Sequence, residues 1–449
     1  MGVDKSPIYI TDFLLLPFYL IPIYFFALHI KKKNELLNPV YKYFVKGLFA
    51  KILGAVSLCL IYGLYYKAGD TVHYFHSAKV FLNLAEKDFY KYLEITFLGN
   101  TRENFYYFDS QTGYPAYWGD NNANYVCRLV SPLCFLGGKS FVITAILLAT
   151  VSYSGMWRLF LIFTEQFPKI TNDLAISVLF IPSVIFWGSG ILKDTITISA
   201  VGWYTYGFYR FFINKTRKIK YISVLVVSSM LLILIKPYIY FALLPGTIVW
   251  LTVNLTSKLN SRALKNIITP VVIIAGVLLG FFALLQVQDL LGIYKMDKVF
   301  EHAANVQKDQ KQEYYGGNSF DIGDFDGTLE GALGKVHLAL AAVFFRPYLW
   351  EARNPVMLLS GLENIYLLFL TFFLLVKLKI IGVFTLIGEH PMLFFSVLFA
   401  LFFGFSVGLS TSNFGSLVRL KIPCIPFFVS SLFILRHYYE KKYNKKLGL

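Results

Sequence analysis

The chain has 449 residues, of which 56% are hydrophobic and 18% aromatic, while only 15% are charged. A water-soluble chain carries roughly a quarter charged residues, so these proportions, with a mean hydropathy of +0.58, exclude an ordinary soluble protein and call for lipid as the solvent. The formal net charge of +16 raises nucleic acid as a partner, but a basic membrane protein concentrates Lys and Arg on its cytoplasmic loops, so the distribution along the chain decides.

A segment that crosses a bilayer must satisfy its own backbone hydrogen bonds, and a helix of about 20 apolar residues does so. About eleven such runs occur, near residues 8 to 29, 47 to 66, 139 to 162, 173 to 189, 194 to 213, 221 to 236, 238 to 256, 267 to 287, 355 to 377, 391 to 409 and 422 to 436. No basic stretch precedes the first run and no small-residue cleavage site follows it, so it is expected as a retained span. The fold class these runs predict is all-α: a polytopic integral membrane helical bundle forming one membrane domain.

Lys31, Lys32, Lys33, Lys42 and Lys46 follow the first run, and Lys215, Arg217, Lys218 and Lys220 the fifth. Lys258, Arg262 and Lys265 follow the seventh, and Arg436, Lys441, Lys442, Lys445 and Lys446 close the chain. If the runs alternate, all four clusters fall on one face, which the positive-inside rule makes the cytoplasm. The expected placement is the cytoplasmic (inner) membrane, with the N-terminus outside and the C-terminus inside. Topology explains the basic residues, and nucleic acid loses its support as a partner.

Two long loops, at about residues 67 to 138 and 288 to 354, then face outward. The first is rich in aromatics and amides, among them Tyr106, Tyr107, Tyr114, Tyr117, Trp118, Asn121, Asn122 and Asn124. The second ends in VHLALAAVFFRPYLW, too short for a comfortable span and expected to lie in the interface or re-enter the bundle.

Ionisable groups at the ends of apolar runs are costly in lipid and therefore face water, a partner or a site. Asp70 opens the first outer loop, with His73 and His76 at helical spacing beyond it. Asp and His are common metal ligands, so a divalent metal is one reading of the three, and a hydrogen-bonding surface is the other. Lys193 and Asp194 sit beside Trp187 in PSVIFWGSGILKDT, either as a snorkelling lysine paired with its neighbour or as a cation at a helix start suited to a phosphate. Lys236 ends the sixth run, FFRPYLWEARNP supplies Arg346, Glu351 and Arg353, and STSNFGSLVRLKIP supplies Asn413, Arg419 and Lys421. Each alone reads as an anchor. Together, at one face, they suit an anionic headgroup or pyrophosphate, to which Arg offers bidentate pairing.

DIGDFDGTLEG has the composition of a calcium loop without EF-hand spacing, and a solvated turn is the simpler reading. No GxGxxG or P-loop marks a nucleotide site. The four cysteines lack metal-binding spacing, while Cys127 and Cys134 would share an oxidising compartment, where a disulfide is open to them.

Taken together, Gly69-Asp70 with Tyr74, the PSxxFWGSGxxKD turn and NFGSLVRLKIPCIP resemble polytopic membrane glycosyltransferases of the GT-C superfamily and the related O-antigen polymerase class. The resemblance covers the layout of most of the chain, although the motifs are short. It implies an enzyme using a lipid-linked sugar donor (polyprenyl phosphate or pyrophosphate), with a glycan or protein acceptor. In that class an acidic residue of the first outer loop acts on the acceptor and basic residues hold the lipid-linked phosphate, and Asp70, Lys193 and Arg419 match by position. Here the acid follows the second apolar run and not the first, and the family's acidic pair is reduced to Asp70 followed by Thr71.

The residues themselves are compatible with transfer chemistry: a carboxylate to take a hydroxyl proton, cations for the departing phosphate, and aromatic faces for sugar rings. Asp70 would be the base. Lys193, Lys236, Arg346, Arg353, Arg419 and Lys421 would bind donor phosphate, and His73, His76, Tyr117, Trp118, Asp194 and Asn413 would contact substrate. A transporter or flippase of lipid-linked saccharides also wants outward cations, and a noncatalytic assembly subunit would use the loops for docking.

Overall fold

The computed structural model describes residues 6–216, 218–256, 299–312 and 318–443. Among these residues the regular structure is helical, and the one pairing of extended backbone is an isolated antiparallel bridge between Ser319 and Asn413. The helices are α1 Ile10–Glu35, α2 Phe44–Leu60, α3 Asp70–Lys87, α4 Phe89–Leu98, α5 Asn121–Leu136, α6 Phe141–Gln166, α7 Thr171–Leu179, α8 Pro182–Trp187, α9 Lys193–Phe208, α10 Ile219–Ile235 and α11 Pro237–Thr256. They continue as α12 Val299–Gln310, α13 Leu329–Gly334, α14 Val336–Phe345, α15 Pro355–Glu389, α16 Pro391–Ser410, α17 Phe414–Leu420 and α18 Ile425–Tyr443.

The chain is an all-α membrane protein, but among the described residues fewer helices are long and apolar enough to cross a bilayer than the apolar runs suggest. Among the described residues six helices are long and apolar enough to cross a bilayer, or seven if α17 and α18, bent by 68° to one another, form one broken span. The excess over six or seven has local causes. The run at 173 to 189 is divided into α7 and α8 at Phe180-Ile181, ahead of Pro182, because proline has no N–H to continue a helix and disfavours helical geometry in the residue before it. The run at 422 to 436 begins inside the bend between α17 and α18, where Pro423 falls, and continues as α18 from Ile425. The run at 194 to 213 is a 16-residue helix rich in hydroxyl side chains that widens into a π-turn, Tyr209–Ile213. α10 has 17 residues, about 26 Å of helix against a hydrocarbon core of about 30 Å. The run at 267 to 287 lies outside the described residues. The apolar segment of the second long loop is the ten-residue α14, about 15 Å long and too short to cross.

The chain divides into two compact units, one comprising Met1–Leu161, Val184–Tyr204 and Val227–Lys236, the other Ile162–Ser183, Thr205–Val226 and Pro237–Leu449. In the first unit α6 and α9 approach through glycines. A Cβ on Gly155 would stand 2.0 Å from the Ser199 carbonyl oxygen, and one on Gly202 would stand 2.1 Å from that of Gly155. Small residues are what let helix backbones come this close in lipid, where apolar surface alone does not drive helices together. At one end of this unit Phe44, Tyr153 and Trp157 pack edge to face, and the Tyr153 hydroxyl donates to the Phe44 carbonyl at 2.8 Å.

In the second unit α16 is the central helix. Phe395, Phe399 and Phe403, at four-residue spacing, are fully buried and share one helix face. Trp250 of α11 stacks on Phe395 at 5.1 Å and Tyr238 on Phe403 at 5.9 Å. Phe344 of α14 stacks on Phe428 of α18 at 4.0 Å.

Candidate functional site

The first unit gathers several of the charged residues around one turn. Gly69 has φ of +118°, a conformation that L side chains rarely adopt, and it delivers Asp70 as the first residue of α3. The Tyr117 hydroxyl donates to Asp70 Oδ1 at 2.8 Å. His73, three residues beyond Asp70, presents its ring edge to Tyr117 at 5.9 Å, and Tyr74 lies 5.3 Å from the same ring.

Three residues after Tyr117, Asp120 closes the turn by donating its N–H to the Tyr117 carbonyl at 3.0 Å. Its Oδ1 caps α5 by accepting from Ala123 N, and its Oδ2 meets Lys193 Nζ at 3.0 Å. The turn is held by the buried amide of Asn124, whose Nδ2 lies within hydrogen-bond reach of the Tyr117, Trp118 and Asp120 carbonyls at 2.6, 3.0 and 3.1 Å. Asp70 and Lys193 therefore each grip one end of the same four-residue turn. Sequence reasoning selected Asp70, Lys193 and Tyr117 but missed Asp120 as the lysine's partner and Asn124 as the clamp. The signal available was an Asp at helix-cap position before NNAN.

Lys193 and Asp194 do not pair with one another. Neighbours on a helix point about 100° apart, so Lys193 turns to Asp120 and Asp194 to Lys236. Asp194 is completely buried and Lys236 nearly so, which makes this a charge pair removed from water and dependent on both partners. Lys51, buried on α2, donates to the Gly188 carbonyl at the end of α8. A lysine inside an apolar run was a legible signal for it.

Trp118, also expected to touch substrate, is engaged in the protein itself. The Trp118 ring packs against Phe81, Phe105 and Phe108, and its Nε1 donates to the Thr101 carbonyl at 3.2 Å. His76 is exposed on α3. Among the described residues no group of three or more His, Cys, Asp or Glu side chains is placed to hold a metal ion. Cys127 and Cys134 are buried and unbonded, which corrects the disulfide reading. Both lie on α5, seven residues and about 10 Å apart along the axis, beyond the reach of a disulfide. Below α3, Lys87 pairs with Asp109, and that contact, with backbone N–H groups of Thr112 and Gln111, holds the Asp109 carboxyl down at about 2.

The second unit holds Arg346, Arg353, Arg419, Lys421 and Asn413. Arg346 is met by Glu351, its Nε lying 3.1 and 3.2 Å from the two carboxylate oxygens, and its guanidinium lies over the rings of Phe320 and Phe414 at 4.8 and 5.4 Å. Asn413 caps α17 through Ser416 N at 3.1 Å. Arg419 lies on α17, and Arg353 directly precedes Asn354, the cap of α15. Lys421 is fully buried and donates to Asn364 Oδ1 at 2.8 Å, while Asn364 Nδ2 donates to the Pro347 carbonyl at 3.2 Å. Its neighbour Glu363 accepts from both the N–H and the hydroxyl of Ser183, at 3.0 and 2.6 Å. Lys421 thus serves as an internal tie, and Glu363 and Asn364 are polar residues within an apolar run that sequence reasoning passed over.

The acidic stretch at 321 to 326 is a solvated turn. Asp321 and Asp324 both meet Lys311 at 2.6 Å, which with the Gly323 N–H holds the Asp321 carboxyl below its ordinary range, and Asp326 accepts from Thr328.

Comparison of the chain with protein-family models, with curated proteins and with solved structures finds no match.

Proposed function

We propose that the chain is a membrane glycosyltransferase or polysaccharide polymerase that takes sugar from a polyprenyl phosphate or pyrophosphate carrier at the outer face of the cytoplasmic membrane, with its N-terminus outside and its C-terminus in the cytoplasm. The observation that carries this reading is the turn at 117–120, gripped by Asp70 through Tyr117 and by Lys193 through Asp120. It sets a carboxylate and a cation on two sides of one aromatic-rich segment. In the proposed reaction an acceptor hydroxyl oxygen bonds to the anomeric carbon while the bond from that carbon to the donor phosphate oxygen breaks. The hydroxyl proton passes to Asp70, and the departing electron pair stays on phosphate, where Lys193 offsets the growing charge. Tyr117 orients the carboxylate, and Asp120 holds the Lys193 side chain in place until phosphate shares it.

The test is glycan formation in a deletion strain carrying Asp70→Asn or Lys193→Met, with membrane insertion checked in parallel. Loss of product in each variant, with accumulation of a lipid-linked intermediate, is the expected outcome. Normal glycan from either variant removes that residue from the mechanism. An accumulated single repeat unit assigns polymerase, and a truncated unit assigns single-sugar transferase.

A second reading, transport of a lipid-linked saccharide, draws on the buried Asp194–Lys236 pair and on the break between α7 and α8. Intramembrane charges and broken helices are common in transporters. Reconstituted protein that moves a labelled lipid-linked sugar across the vesicle without forming a glycosidic bond would favour it.

A further inference from the structure

The segment between α2 and α6 reads from its sequence as a long outward-facing loop. Its last helix, α5, has two different halves. The first carries Asn121, Asn124 and Arg128, and Arg128 Nη2 donates to Asn100 Oδ1 at 2.6 Å. The second carries Leu129, Pro132, Phe135 and Leu136, which share one exposed face, with Phe135 at 65% and Leu136 at 59% of full exposure. The opposite face, Val126, Cys127, Val130 and Cys134, is completely buried, so α5 turns one side to the protein and the apolar stripe outward.

Beside the end of that stripe stands α1, a helix long and apolar enough to cross a bilayer. The Tyr19 hydroxyl of α1 donates to the Leu136 carbonyl at 2.7 Å. Tyr19 is nine residues into α1, about 14 Å along its axis, and a helical side chain leans back toward the N-terminus, so the hydroxyl stands below the first turns of the span. The neighbouring Phe18 and Ile21 are exposed at 75% and 54%, as residues of a lipid-facing surface are.

The end of α5 is also finished as lipid requires. A helix leaves its last four carbonyls without intrahelical partners, and in hydrocarbon each must find one. Leu133 O accepts from Gly137 N, Cys134 O from Lys139 N, Phe135 O from Gly138 N, and Leu136 O from Tyr19. Lys139 then turns to Glu86 at 2.9 Å, which marks the polar side of the same level.

We propose that the second half of α5 is seated in the bilayer at the boundary between acyl chains and headgroups, against α1, with the Leu129, Pro132, Phe135 and Leu136 face covered by lipid. Interfacial helices bury their apolar side by about 5–10 Å in this way. The first half of α5, with Asp120 at its start, then rises out of the acyl region. This placement does not depend on whether the chain transfers or carries a saccharide.

The experiment uses the full chain in phosphatidylcholine vesicles, with a nitroxide attached at Phe135→Cys, Leu136→Cys and Leu129→Cys in turn. The native cysteines are buried and lie away from the reagent. Phe18→Cys serves as the lipid reference and Ser110→Cys, in an exposed polar turn, as the aqueous one. Collision with oxygen and with a water-soluble nickel chelate is measured by power saturation. The expected result is a ratio of oxygen to nickel accessibility at the α5 positions that matches Phe18→Cys and exceeds Ser110→Cys several-fold. Nickel accessibility equal to that of Ser110→Cys would place the face in water and overturn the proposal. Exclusion of both reagents would mean that protein, such as a second copy of the chain, covers the face, and would overturn it equally. Three positions on one stripe keep the result readable if one variant fails to insert.

Discussion

Asp194 and Lys236 form a charge pair buried inside the first unit. An ion taken out of water costs several kcal/mol, and removing one partner of a buried pair leaves the other uncompensated, at about 3–5 kcal/mol. Lys236→Met should therefore lower the unfolding midpoint of the protein in detergent sharply, and Asp194→Asn in the Lys236→Met background should restore most of the loss. A double-mutant cycle measures this coupling, and additive losses would show that the two side chains act apart. The same pair shows where residue-level reading stops. Lys193 and Asp194 are adjacent in sequence and invite pairing, yet the helical rotation between neighbours sends one to Asp120 and the other to Lys236. Helix α9 had to be set beside α5 and the end of α10 before either partner was in reach. Arg346 and Asn413 show the same limit: both were legible as polar groups near apolar ends, and only packing revealed that one is matched by Glu351 between aromatic rings and the other caps a helix.

Helices in this protein are shaped by where proline and glycine fall. Pro182 divides one apolar run and Pro423 falls in the bend that separates α17 from α18, and hydropathy, which averages over a window, does not register such a break. Glycine acts through contact. The α6 and α9 backbones approach at Gly155 and Gly202, where the Cβ added by any other residue would enter a carbonyl oxygen's contact distance. Gly155→Leu should separate these helices, with a cost at or above the ~1–3 kcal/mol of ordinary overpacking, because backbone and not a movable side chain stands in the way. Hydrogen exchange should rise along α6 and α9 more than along α16, whose packing lies in the other unit. An unchanged exchange pattern would mean that the crossing is not a determinant of stability. Asn124 belongs to this scale as well: one amide fixes three carbonyls of the turn before α5, and nothing in the local sequence distinguishes it from its neighbours Asn121 and Asn122.

At the scale of the molecule, the basic residues are expected to lie on one side of the bilayer. With the N-terminus outside and the C-terminus in the cytoplasm, as proposed, which requires an odd number of crossings such as the seven reached when α17 and α18 form one span, a fluorescent reporter fused after Leu449 should be active in the cytoplasm and one preceding Met1 should not. A reversal of both signals would move Asp70 to the cytoplasmic side and remove the proposed reaction at the outer face. The need for lipid, the all-α class and the grouping of Lys and Arg at particular loops were all determined by the sequence, because they follow from composition and from runs of about 20 residues, which local chemistry sets. The partners of the charged residues and the closeness of Asp70 and Lys193 to one turn were decided only by tertiary structure. Each depends on which helices meet and at what rotation, and a side chain 1.5 Å along the axis from its neighbour points in another direction.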